Sequence, residues 1–99
     1  MTAKINGLSY IVPVYNEQSA LVDTVNELAR ILSGMDLMYE IIVVNDGSTD
    51  DTVLEISSLD IENLVTLKHP SNAGYGAAIK SGLRVARYEW IGIIDADGS

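Results

Sequence analysis

The sequence predicts an α/β fold in which four parallel strands, numbered along the chain, lie in the spatial order 3-2-1-4 with three helices between them. Three observations predict it. Short apolar runs rich in β-branched residues occur at residues 8–14, 39–46, 63–69 and 90–95. Stretches with helical apolar spacing or helix-capping chemistry fill the intervals between them. Those intervals are too long for hairpins, so each crossover is a right-handed βαβ unit. In such sheets the first strand sits centrally, and the reversal between strands 1 and 4 opens a crevice at the carboxyl ends, where ligands bind.

Residues 8–14, "LSYIVPV", read as a strand that ends at Pro13, which has no N–H for a further ladder bond. From Glu17 to Ser33 the apolar residues Leu21, Val25, Leu28 and Leu32 recur at helical spacing, with Asn16 as N-cap and Gly34 as the stop. Residues 39–46, "YEIIVVND", form a continuous run of the kind buried on both faces of a sheet, and it ends in an acid. In the following "GSTDDTVLEISSL", Ser48 and Asp51 have the spacing of a capping box, which predicts a helix over about 50–58. "NLVTLKH" is the third strand. "PSNAGYGAAIKSGLRVARY" is a turn-rich loop leading into a helix with Ile79, Leu83 and Ala86 on one face. "WIGIID" is the fourth strand.

Ninety-nine residues make one small domain, and 47% hydrophobic with 20% charged residues marks it as globular. Six basic residues against fourteen acids give a formal net charge of -8. That balance argues against a nucleic-acid partner, because no cationic stripe is available to displace counterions. It suits a cation better. There is no cysteine, which excludes disulfides and thiolate metal sites, and a single histidine, His69, argues against a histidine-rich zinc site. No apolar run approaches the roughly 20 residues that a membrane span needs.

The four strand exits are "PVYNE", "NDGSTDD", "HPSNAGYG" and "DADGS", and all fall on the same edge of the sheet. The opposite edge shows no comparable cluster of acids and glycines. Asp95 and Asp97 stand one residue apart at the last exit. On a strand such residues lie roughly 6.6 Å apart, whereas two oxygens on one Mg²⁺ at about 2.1 Å each lie within about 4.2 Å. The chain must therefore bend after Asp95, and Gly98 helps it do so. Asp97 is then the metal ligand, and Asp95 orients a ribose hydroxyl or a metal-bound water. All the available ligands are hard oxygens, which selects Mg²⁺ or Mn²⁺ completed by substrate phosphates and water. Alternatively, Asp-Ala-Asp-Gly is a turn with capping acids.

Asp46 ends a buried strand and must be paired, either with nearby N–H groups or with a ligand such as a nucleobase imide or amino group. Ser48, Asp50 and Asp51 are explained by a turn and cap. A calcium loop starting at Asp46 fails, because the sixth position is Asp51 and the twelfth is Ser57. Gly74 and Gly76 open a helix in the manner of a phosphate-binding turn, but the signal is weak and a structural role is the preferred reading. A dinucleotide fingerprint is absent, since Ile79 stands where its third glycine belongs and strand 1 exits into "PVYNE". Tyr15 can lie flat against a base and Glu17 can bind base or ribose; packing and a helix-terminal acid are the alternatives.

Together "IVPVYNE", "IIVVNDGSTDDT", "SNAGYGAAIKSG" and "IIDADGS", in this order, resemble the N-terminal, nucleotide-binding half of family 2 glycosyltransferases, whose GT-A fold begins with a Rossmann-like sheet. The resemblance spans about residues 8–99 and is closest to the dolichol-phosphate mannosyltransferase-like, polyprenyl-phosphate branch. It implies a metal-dependent transferase that moves a sugar from a UDP- or GDP-sugar to an acceptor, a polyprenyl phosphate being one such acceptor. By matching motifs, Pro13, Tyr15, Glu17 and Asp46 line the nucleoside pocket, Asp95 sits at the ribose or metal, and Asp97 binds the metal. In the family the acceptor pocket and the general base lie after the Asp-x-Asp segment, so the base is expected beyond Ser99 and no catalytic residue is assigned within the sequence. Residues 1–99 are accordingly expected to be a truncated nucleotide-sugar-binding half-domain, inactive alone. The fourth strand is expected to leave an exposed edge through which copies can associate. The expected location is the cytoplasm, or the cytoplasmic face of a membrane for the longer protein. A non-catalytic nucleotide-binding or regulatory module is the alternative function.

Overall fold

A computed structural model describes residues 5–96. It contains β1 (Ile5–Val14), α1 (Leu21–Ser33), β2 (Tyr39–Asn45), α2 (Thr52–Ser58), β3 (Leu64–Lys68), α3 (Tyr75–Val85) and β4 (Tyr88–Ile93). All strand pairings are parallel and the order is β3-β2-β1-β4, as the sequence predicts.

The two central strands carry the core on both faces. Successive side chains of a strand point to opposite sides, and both strands use that alternation. Val12 and Val14 of β1 and Ile41 and Val43 of β2 pack with Leu21, Val25, Leu28 and Leu32 of α1. Ile11, Ile42 and Val44 pack on the other side with Ala78 of α3 and with Ala86. Helices therefore cover the two faces of one sheet, and the register of Ile11 with Ile42 and with Ile93 brings the carboxyl ends of β1, β2 and β4 to one edge.

β1 begins at Ile5, earlier than the expected Leu8, and it contains Pro13. The ladder geometry explains how a central strand accepts that proline. Ile11 accepts from the N–H of Ile94 and Val14 from the N–H of Asp46, so alternate residues face opposite neighbours. Pro13 faces the β4 side, beyond the last β1–β4 pair at Ile11 and Ile93, where no ladder bond is needed.

α1 starts at Leu21 instead of Glu17, and Ala20 occupies its N-cap without a side-chain bond. Asn16 is not the cap. It has φ +53° and reaches across to the β2 exit. The capping box also fails to form: Ser48 Oγ accepts from the N–H of Asn16 at 3.0 Å, and Asp50 accepts from the Thr52 N–H at 2.9 Å. Asn16 and Ser48 were free to make local caps, and long-range pairing of the two exit loops took them instead.

On α3 the inner face is offset from the expected one. Ala78 and Gly82 are buried, Ile79 is half-buried and Leu83 is exposed. A Cβ on Gly82 would stand 2.8 Å from Ile11 Cγ2, so only small residues let this helix lie so close to the sheet. β4 runs over Tyr88–Ile93, shifted from the expected 90–95, and leaves Trp90, Ile91 and Ile93 exposed.

Candidate functional site

At the carboxyl edge of the sheet the exits of β1, β2 and β4 and the first turn of α3 surround a cavity of about 200 Å³. Pro13, Val14, Tyr15 and Glu17 come from the β1 exit, Asp46 from β2, Tyr75 and Ala78 from α3, and Asp95 and Ala96 from β4. Five residues singled out in the sequence, Pro13, Tyr15, Glu17, Asp46 and Asp95, thus line one space although up to 82 positions of chain separate them. Asp97, the expected metal ligand, lies outside the described residues. So does Ser99, and no catalytic residue is assigned among the described residues.

Asp46 is only 3% exposed and its carboxylate is held by four protein donors. Oδ1 accepts from His69 Nδ1 at 2.7 Å and from the Ala73 N–H at 2.9 Å; Oδ2 accepts from the Gly74 N–H at 2.9 Å and from Asn72 Nδ2 at 3.2 Å. Burial pushes this carboxyl up, but the bonds from His69, Ala73 and Gly74 outweigh it and hold the group below its ordinary value. Asp46 is therefore an anion that gathers the 69–74 segment around itself. Gly74 supplies its N–H from φ +104°, a backbone state that favours glycine.

Two further contacts fix the rim. A Cβ on Gly47, at φ +74°, would lie 2.3 Å from the Ser71 carbonyl carbon, so the β2 exit and the 69–74 segment pack backbone to backbone. Asn16 Oδ1 accepts from the Thr49 N–H at 2.8 Å and Gln18 Oε1 from the Asp51 N–H at 3.0 Å, which ties the β1 exit to the β2 exit. Asp50 is used locally: the Thr52 hydroxyl bonded to it, partly opposed by burial, keeps its carboxyl below the usual range.

Sequence reasoning missed Tyr75 and His69. Tyr75 lines the cavity beside Asp95, and burial together with the Asp95 carboxylate raises its phenol above the ordinary value. Nothing in "NAGYG" signals a contact with a residue twenty positions away. His69 stands alone in sequence but not in space. Gly76, conversely, has open space around it, and no protein atom approaches where a side chain would be.

Among the described residues no group of three or more acidic, histidine or cysteine side chains is arranged to hold a metal ion. The donor chemistry nevertheless suits a hard cation. Asp95 offers carboxylate oxygen to the cavity, Asp97 follows it in sequence, and such ions keep part of their shell for phosphate and water.

Residues 9–99 match the profile of Glycosyl transferase family 2. A dolichyl-phosphate beta-glucosyltransferase, ALG5D, of Trichomonas vaginalis is 39% identical over 100 residues, covering 93% of this chain and 30% of that protein. The chain thus spans under a third of this curated relative. The structure of S. aureus TarS 1-349 in complex with UDP-GlcNAc superposes with a TM-score of 0.79 at 29% identity, over 92% of this chain and 26% of that one. Mannosyltransferase PcManGT from Pyrobaculum calidifontis, in complex with GDP-Man and Mn²⁺, gives 0.76 at 25% identity, over 96% of this chain and 30% of that one. With its four-stranded parallel sheet, its rim of Asp46 and Asp95 and this match over residues 9–99, the chain belongs to glycosyl transferase family 2.

Proposed function

We propose that this chain is the donor-binding part of a metal-dependent enzyme that transfers a sugar from a nucleoside-diphosphate sugar to an acceptor, a polyprenyl phosphate being the acceptor class favoured by the dolichyl-phosphate relative. The observation that carries the proposal is the convergence of Pro13, Tyr15, Glu17, Asp46 and Asp95 on one cavity at the carboxyl edge of a parallel sheet. TarS with UDP-GlcNAc and PcManGT with GDP-Man and Mn²⁺ support the ligand class.

In this reading Pro13 and Val14 form an apolar floor and the exposed ring of Tyr15 covers a base. Asp46 has every acceptor direction in use, so a base N–H takes the place of its longest partner, the Asn72 amide at 3.2 Å. Glu17 and Asp95 face the ribose, and Asp95 and Asp97 are the residues that hold Mg²⁺ or Mn²⁺. When bound, the ion supplies charge neutralisation for the departing diphosphate. No residue of this chain is assigned as the base that activates the acceptor, and the proposal concerns donor binding. No helix among the described residues is long and apolar enough to cross a membrane; the proposal takes the longer protein to work at a bilayer surface, on its cytoplasmic face.

Calorimetry with UDP, GDP and their sugars, with and without Mn²⁺, tests the proposal. Metal-enhanced binding of one nucleoside diphosphate is expected. Absence of binding to either, or tight metal-independent binding of NADH, would overturn it.

A further inference from the structure

His69 links the β2 exit to the middle of α3 by side-chain hydrogen bonds, in addition to the packing of Ala78 on Ile42 and Val44. Its Nδ1 lies 2.7 Å from Asp46 Oδ1 and its Nε2 lies 2.8 Å from Ser81 Oγ on α3. Its main-chain N–H donates to the Asn45 carbonyl at 2.8 Å, so the ring is anchored at its root as well. Of the four donors on Asp46, the other three come from residues 72–74, where Asn72 and Ala73 are exposed. His69 is the donor backed by regular structure. An ionised carboxylate can only accept, so Nδ1 carries a proton and, in the neutral ring, Nε2 accepts from the Ser81 hydroxyl. The order Asp, His, Ser is that of a hydrolytic triad, but Ser81 does not line the cavity.

We propose that His69 is a positioning residue of the donor site: braced by Ser81 on α3, it sets the rotamer of the Asp46 carboxylate and so the position at which that carboxylate meets the nucleotide. This rests on the donor-binding reading above. A carboxylate held from one side by a braced ring keeps its second oxygen aimed at the cavity when Asn72 gives way. Without the ring, both oxygens turn toward the 72–74 main chain and the site loses its acceptor.

The test uses three substitutions and one spectrum. His69→Asn keeps an amide N–H near the place of Nδ1, and His69→Gln puts its amide near the place of Nε2. His69→Ala has neither. UDP and GDP are titrated into each with Mn²⁺. Loss of about tenfold or more in affinity is expected for His69→Ala and His69→Gln, with His69→Asn recovered to within about threefold of the wild type. The melting temperatures of the three variants are expected to agree, because all remove the same ring from the same pocket. A long-range proton–nitrogen NMR spectrum of the free wild-type protein is expected to show the imidazole protonated at Nδ1. Wild-type affinity in His69→Ala overturns the proposal and leaves the donor-site reading standing. So does equal loss in the Asn and Gln variants, or a ring protonated at Nε2 alone. A wild-type protein that binds neither nucleotide removes the donor-site reading and this role with it.

Discussion

Tyr75, in the first turn of α3, and Asp95, at the exit of β4, line the same cavity, and burial together with the Asp95 carboxylate raises the Tyr75 phenol above its ordinary value. Ionising the phenol beside that carboxylate would set two anions together, so Tyr75 is expected to titrate after an ordinary tyrosine. Spectrophotometric titration of the five tyrosines should resolve one late transition. Tyr75→Phe should remove it, and Asp95→Asn should move it back toward the ordinary value near ~10. A titration unchanged by Asp95→Asn would show that the two groups do not interact in solution.

Asp46 makes stability depend on acid. Its folded value lies below the ordinary 3.8 of an aspartate, so its contribution is complete above the unfolded value and is lost as pH falls through the folded one. Asp46→Asn should cost about 2 kcal/mol at neutral pH, since hydrogen bonds to a buried charge are replaced by neutral ones and one amide proton faces other donors. The same variant should lose less stability than the wild type on going to acid. Urea unfolding at neutral pH and below pH ~3.9 measures both, and parallel curves for the two proteins would contradict this account.

Gly47 is required by geometry rather than by flexibility. Gly47→Ala places a methyl 2.3 Å from the Ser71 carbonyl carbon, a main-chain atom that cannot swing aside, at φ +74°. The left-handed conformation alone costs about 1–2 kcal/mol, and overpacking adds about 1–3 kcal/mol. Thermal unfolding should show a loss of several degrees at least. Melting within a degree of the wild type would mean that the two loops can part without cost.

The metal ligands proposed above, Asp97 and Asp95, are open to a direct test. Asp97→Asn should abolish the Mn²⁺-dependent tightening of nucleoside diphosphate binding while the melting temperature stays equal or rises, since the change relieves repulsion between neighbouring carboxylates. Unchanged metal dependence in calorimetry would transfer the role to another group.

β4 is an edge of the sheet, with Trp90, Ile91 and Ile93 exposed along it. Unpaired main-chain groups beside apolar side chains favour pairing with a second copy. Size-exclusion chromatography over a range of concentrations should show self-association, weakened by Ile91→Lys. A monomer at every concentration would show that the edge is protected by other means.

The sequence by itself determined the layout, because period and punctuation are local properties. The four strand runs, the doubly covered "YEIIVVND" and the long intervals sufficed for a parallel 3-2-1-4 sheet, and that topology placed Pro13, Tyr15, Glu17, Asp46 and Asp95 on one edge before any contact was known. What only the tertiary structure decided is which polar group satisfies which. Asn16 and Ser48 had local caps available and paired with each other's loops instead; α3 turned its small residues inward because Ile11 left no room for larger ones. Tyr75 met Asp95 twenty residues on, and His69 met Asp46 and Ser81, 23 and 12 residues away. Hydrogen-bond satisfaction and close packing are settled by whatever lies nearest in space, and spatial neighbours exist only after the sheet has formed.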